Sequence, residues 1–171
     1  RSDLLVDAAC FARQLELARS SGCQILADYV RALIDGANLK SLVRTLRLKK
    51  DAAFLRELLL PGGTVSPERI VQHGFSSSAA ELFAGSALAQ AAQAAEAAAA
   101  GGSLTELERL CDNAALNVIG RARRVPFGVE VPVGYVAARE NELMSVRLVI
   151  TGLLAGIPAD QIRERLRETN G

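Results

Sequence analysis

Few side chains in this 171-residue sequence have the chemistry to cut, transfer or ligate. The single histidine, His73, sits in a polar connector with no Cys or Asp beside it in sequence, so nothing marks a nucleophile–base pair. Cys10, Cys23 and Cys111 form no C-x-x-C and no Cys/His group at metal-ligand spacing. An odd cysteine number without a leader segment predicts reduced, buried, intracellular thiols. The glycine-containing stretches "GGTVSPE" and "AAGGSLTE" match neither common phosphate loop, and no H-E-x-x-H or paired E-x-x-H occurs. Glu140 and Glu142 are two apart, so on a helix they point to different sides and share a metal poorly. No catalytic residue, cofactor or metal is therefore expected. An enzyme reading would have to place Glu140 or Glu142 with Arg147 in a concave pocket.

The more informative polar groups are those threaded through apolar helical stretches. "YVRALIDGANLKSLVRTLRLKK" (29–50) carries Asp35, Asn38 and Arg44, and "YVAARENELMSVRLVITGLLAG" (135–156) carries Glu140, Asn141, Glu142 and Arg147. Glu140 and Arg147 are seven apart and project from one side of their helix, at the edge of the arc of Val136, Leu143, Ile150 and Leu154. A covered charge needs a partner, and the arginine fork suits carboxylates on neighbouring helices. Arg44 and Arg147 are thus expected to staple helices, with Asn38 and Asn141 bonding backbone at turns or crossings. Arg31 and Asp35, four apart, can pair along their own helix. The alternative is that these charges lie on ordinary solvated faces.

The elements that would position these groups are helical. Half of the residues are hydrophobic, 23% are charged, and aromatics make up 4% with no Trp. The core must be aliphatic, and the Ala and Leu content predicts an all-α protein. A net charge of +1 gives no ground for binding nucleic acid, and "RARR" (121–124) reads as a basic helix end. No apolar run reaches the ~18 residues of a membrane span. A sequence that starts at Arg1 is expected to be a piece of a longer or processed protein.

Apolar spacing predicts helices over 3–19, 23–48 (with a possible kink at Gly36) and 51–60, the last stopped by "PGG". Ser66-Pro67-Glu68 opens a short helix. Ala79–Ala100 reads as one long Ala-rich helix. Ser103-x-x-Glu106 is a capping box for a helix reaching Arg124. "VPFGVEVPVG" (125–134) reads as a loop, followed by helices over 133–156 and from Pro158 to about Glu168.

The two quoted stretches align. Asn38 falls on Asn141, Val43 on Val146 and Arg44 on Arg147, each 103 positions apart. After a four-residue insertion, Leu55-Arg56-Glu57 falls on Ile162-Arg163-Glu164 and Leu59 on Leu166, each 107 apart. This repeat exceeds short solenoid units and predicts two duplicated helical units, residues 1–74 and 75–171.

The first block, with Tyr29, Val30, Asp35, Asn38, Leu39, Lys40, Arg44 and Pro61-Gly62-Gly63, resembles the middle part of the C subunits of V/A-type ATP synthases, relatives of the d subunits of eukaryotic V-ATPases. The closing block, with Pro132, Gly134, Tyr135, Glu140, Glu142, Arg147, Gly152, Gly156 and Leu166, is similar to that family's C-terminal block. The resemblance covers 23–70 and 130–168, and the Ala-rich middle matches only in helical character. It implies an all-helical funnel of three repeats, of which this chain would hold the last two. It also implies a non-catalytic central-stalk adaptor on the cytoplasmic face of the membrane, between the axle of the ATP-hydrolysing head and the ion-carrying rotor ring. A full-length family member would be roughly twice as long. The reading from another class is a generic helical interaction scaffold.

Overall fold

A computed structural model describes residues 2–166. All regular structure among them is helical. Helix α1 spans Ser2–Ser20, α2 Gln24–Arg47, α3 Ala52–Leu58, α4 Pro67–His73, α5 Ala79–Phe83, α6 Ala89–Ala99 and α7 Leu104–Gly120. A 3-10 turn, Arg121–Arg124, leads to α8, Glu130–Leu154, and α9, Ala159–Arg165.

The helix starts obey local capping chemistry. Asp51, Ser66, Ser78 and Ser103 each accept a hydrogen bond from the backbone N–H three residues on, satisfying a donor that has no intrahelical partner. Pro67 occupies the first turn of α4, where its missing N–H costs nothing. The "SSG" segment ends α1, with Gly22 at φ +73°.

Helix α2 runs through the centre. It packs on α1, α3, α6 and α7. Its Leu39, Leu42 and Val43 join Leu55, Ile70, Phe83, Leu88 and Leu107 in the larger core. Its Ala27, Val30 and Ile34 join Leu15, Ala18 and Leu60 in a smaller one. Gly36 does not break α2, which is one uninterrupted helix. The small side chains Ala91, Ala92, Ala95 and Ala98 are the buried face of α6 and let it lie close against its neighbours.

The structure corrects three expectations about the elements. The Ala-rich segment is two helices. Phe83 and Leu88 are both fully buried, yet five positions apart on one helix they would point ~140° away from each other. The bend resolves this conflict: Ser86 Oγ donates to the Phe83 carbonyl at 2.8 Å and accepts from Leu88 N–H at 3.1 Å. Next, α8 begins at Glu130, inside the expected loop. Pro132 is tolerated there because first-turn N–H groups have no intrahelical partner. Finally, α9 ends at Arg165, and Leu166 is extended. The part of the expected last helix beyond Leu166, up to Glu168, lies outside the described residues.

The ends of the paired elements keep the register of the internal repeat. Arg47 and Leu154, Ala52 and Ala159, and Leu58 and Arg165 are each 107 positions apart. The four-residue insertion adds about one turn to the end of α8.

Candidate functional site

The longest-range polar contacts start on α2. Asp35 and Asn38 are one turn apart and neither is solvent-exposed. Asn38 Nδ2 donates to the Leu60 carbonyl at 2.9 Å, and its Oδ1 accepts from Leu60 N–H at 2.7 Å. Asp35 accepts from Thr64 N–H at 3.1 Å and from Val65 N–H at 3.2 Å. Two side chains thus clamp the segment that leaves α3 and satisfy four backbone groups that would otherwise be buried without partners. The clamp demands the glycines. Gly62 has φ +100°, and a Cβ on Gly63 would collide with Asp35 Oδ1. Burial pushes the Asp35 carboxyl above its ordinary range. The N–H groups of Val65 and Thr64, the Thr64 hydroxyl and the Arg31 charge oppose that push.

Arg31 does not bond Asp35 as the four-residue spacing suggests. It pairs with Asp28 at 3.1 Å, because Asp35 is turned into the clamp. Asp28 also receives Arg121 at 3.3 Å, tying α2 to the turn after α7. Nothing in the sequence signals that contact, 93 residues apart. Arg44 crosses from α2 to Glu108 on α7 at 3.0 Å. This is a surface bridge, with the arginine side chain 57% exposed, and such pairs contribute about 1 kcal/mol or less.

The second set of residues has a different environment. Among the described residues Arg147 has no ion-pair partner, so the expected staple is absent there. It lies on the outer side of α8, away from α2 and α7. Glu140 is likewise exposed. Glu142 pairs with Arg139 of its own helix at 2.8 Å, and Arg139 stacks over Tyr135, 5.5 Å from the ring centre. Asn141 is buried, facing the body of the protein.

Helix α8 touches that body through small residues. A Cβ on Gly134 would press on Ala122 at 3.1 Å, and one on Gly152 would meet Ile162 at 2.8 Å. Gly134, Asn141 and Gly152 are its buried positions. Between α8 and the α2–α7 pair lies an apolar groove of about 350 Å³, bordered by Tyr29, Ile119, Val136, Met144, Glu140 and Asn141. The Tyr29 hydroxyl titrates above its usual range, chiefly through burial and secondarily through Glu140 and Asp112.

Among the described residues no group of three His, Cys, Asp or Glu side chains could hold a metal. No described helix is long and apolar enough to cross a membrane. Cys23 and Cys111 are buried, but Cys10 is exposed, unlike the buried state expected of all three. It sits on the outer side of α1, where no other element covers it.

No solved structure matches this chain significantly. Among curated proteins it is similar to the C subunit of the A-type ATP synthase of Thermococcus onnurineus (strain NA1), with 27% identity over 145 residues. It is also similar to the C subunit of the A-type ATP synthase of Desulfurococcus sp. (strain SY), with 26% identity over 145 residues. Each alignment covers 82% of this chain and 38% of the relative, so the chain spans well under half the length of the proteins it matches. The ATP synthase (C/AC39) subunit family matches residues 2–165, nearly the whole chain. The clamp around Pro61-Gly62-Gly63 and the α8–α9 hairpin both lie within that match, and the chain belongs to the ATP synthase (C/AC39) subunit family.

Proposed function

We propose that this chain serves as a non-catalytic part of a rotary V/A-type ATPase, an adaptor between the central axle of the ATP-hydrolysing head and the membrane rotor ring during proton or sodium transport. The observation that carries this reading is the family match over residues 2–165. A torque adaptor needs a fixed shape and partner surfaces, and no chemistry of its own. The clamp formed by Asp35 and Asn38 is suited to hold the α2–α3 hairpin in one register. Arg44 adds a weaker surface tie. The exposed Glu140, Glu142 and Arg147, beside buried Asn141, are the candidates for contact with another protein of the motor. Residues 1–74 and 75–171 are read as two related units, a reading supported by the shared 107-residue displacement of helix ends. The adaptor would work on the cytoplasmic face, peripheral to the membrane.

Co-purification with the axle and ring proteins of the same organism tests this. The tagged chain, or the full-length protein that contains it, should retain at least one of them through a salt wash. Retention of neither, with the chain folded by circular dichroism, would refute the adaptor role and leave a helical scaffold of another kind.

A further inference from the structure

Helices α8 and α9 are held to the rest of the protein differently from α1–α7. Among the described residues neither apolar core takes a side chain from them. Helix α2 buries eleven of its 24 residues, whereas α8, with 25, buries three: Gly134, Asn141 and Gly152. The buried and half-buried positions of α8 on that side are mostly small, Gly134, Ala137, Ala138, Asn141, Ser145 and Gly152. The seam therefore removes little apolar surface from water. Two hollows interrupt it. The apolar groove separates Val136 and Met144 from Tyr29 and Ile119. A second hollow, of about 310 Å³ and polar, lies between Thr105, Glu108 and Asp112 of α7 and the hairpin residues Leu148 and Arg165.

The firm contacts are few. At one end Gly134 lies against Ala122. At the other, Ile162 of α9 is seated on Gly152 of its own hairpin, and α9 packs on α7. The chain enters the hairpin through residues 121–129, a 3-10 turn followed by a stretch without helix in which Gly128 has φ +111°. Arg121 opens that turn and is fixed on two sides. Its Nε donates to the Val118 carbonyl at 3.2 Å, and its guanidinium pairs with Asp28 at 3.3 Å. Asp28 is itself held on α2 by Gln24 at 2.8 Å and Arg31 at 3.1 Å. The base of the connection is thus braced on the central helix.

We infer that the α8–α9 hairpin is an arm that swings open and recloses as one unit on a body made of α1–α7, turning about residues 121–129, with the Asp28–Arg121 bridge as the brace that steadies the pivot. Opening exposes little apolar surface, while both cores of the body stay closed. The attachment lies on the inner face of α8, and the outer face has no part in it. The arm goes beyond the adaptor reading and does not depend on it.

Hydrogen exchange of the purified chain, followed by mass spectrometry on peptides from each helix, provides the test, with circular dichroism to confirm folding. The amides of α8 and α9 should share one level of protection, about tenfold or more below that of α2 and α7. Gly134→Leu drives a side chain into Ala122 and should lower protection in α8 and α9 further, leaving α2 and α7 unchanged. Arg121→Gln and Asp28→Asn should each lower it about two- to fivefold, the scale of a part-exposed ion pair. The two together should do no more than either alone, and Arg31→Gln should leave the hairpin as it is. Protection of α8 and α9 equal to that of α2 overturns the inference. So does a Gly134→Leu effect spread evenly over all helices, which would make arm and body one cooperative unit. Hairpin exchange indifferent to Arg121→Gln overturns the brace.

Discussion

Replacing Asn38 tests the clamp most directly. Its amide makes two hydrogen bonds to one residue, 2.7 Å from Leu60 N–H and 2.9 Å to the Leu60 carbonyl. Leu60 is 7% exposed and belongs to the smaller core with Leu15 and Ile34, so water cannot readily replace the amide. Asn38→Leu keeps the volume approximately but leaves a donor and an acceptor unsatisfied. At ~1–3 kcal/mol for each of the two buried orphans, the loss should be about 2–6 kcal/mol. Asn38→Asp sharpens the test. Neutral Asp has one donor and one acceptor and can reproduce both bonds. Ionised Asp faces the Leu60 carbonyl with a second negative oxygen, close to the Asp35 carboxyl. The folded protein therefore holds the introduced proton more tightly than the unfolded chain does. With the folded value above the unfolded one, the contribution is full below about pH 3.9 and is lost as pH rises through the folded value. Urea unfolding of wild type and both variants at pH 4 and pH 7 gives the numbers. Asn38→Asp should approach wild type at pH 4 and fall to or below Asn38→Leu at pH 7. Asn38→Leu within about 0.5 kcal/mol of wild type, or Asn38→Asp with equal deficits at both pH values, would refute the clamp as a stabilising device.

Gly63→Ala should destabilise by ~1–3 kcal/mol, because the new Cβ is driven into Asp35 Oδ1; a thermal melt of the variant measures it. Asp35 gives wild type its own pH dependence. Burial raises its carboxyl above the unfolded value, so its contribution is largest below that value and declines as pH rises through the folded one; Asp35→Asn should flatten this part of the stability–pH curve. Arg44→Ala should cost under about 1 kcal/mol, less at high salt, since its bridge to Glu108 is exposed; urea titrations at two ionic strengths decide it. The Cys111 thiol is pushed up to about 12 by burial, so iodoacetamide should label exposed Cys10 in the native protein and Cys111 only after unfolding, as read by mass spectrometry.

What was legible in the sequence was local. Ser66 and Ser103 announce helix starts because capping needs one side chain and a neighbouring backbone N–H. The all-α class follows from apolar spacing and the Ala and Leu content. The polar residues of α2 stand out as intrusions in an apolar helix, but their partners do not. Asn38 acts 22 residues away, on the backbone of a leucine, where side-chain type carries no signal. The break near Ser86 was hidden for a related reason. Only the core, which claims both Phe83 and Leu88, rules out a straight helix there, while Ala-rich composition favours one.

Helices α2 and α8 show why a pattern alone does not fix a role. Both run about 24 residues, both lead to a seven-residue helix, and both carry Asn and Arg at matching heights. Around α2, helices α1, α3, α6 and α7 cover most of its surface, and its Asp35 and Asn38 turn inward to hold backbone. Around α8, the body and α9 occupy only the side of Gly134, Asn141 and Gly152. Displacing Leu60 by 107 positions gives Arg167, outside the described residues. The remaining arc of α8, from Leu143 to Leu154, is as apolar as the core stripe of α2, yet faces outward. A helix apolar on opposite sides belongs between two partners. Its own hairpin supplies one. Because α9 already lies against Gly152, it does not also cover the far side, which stays exposed among the described residues.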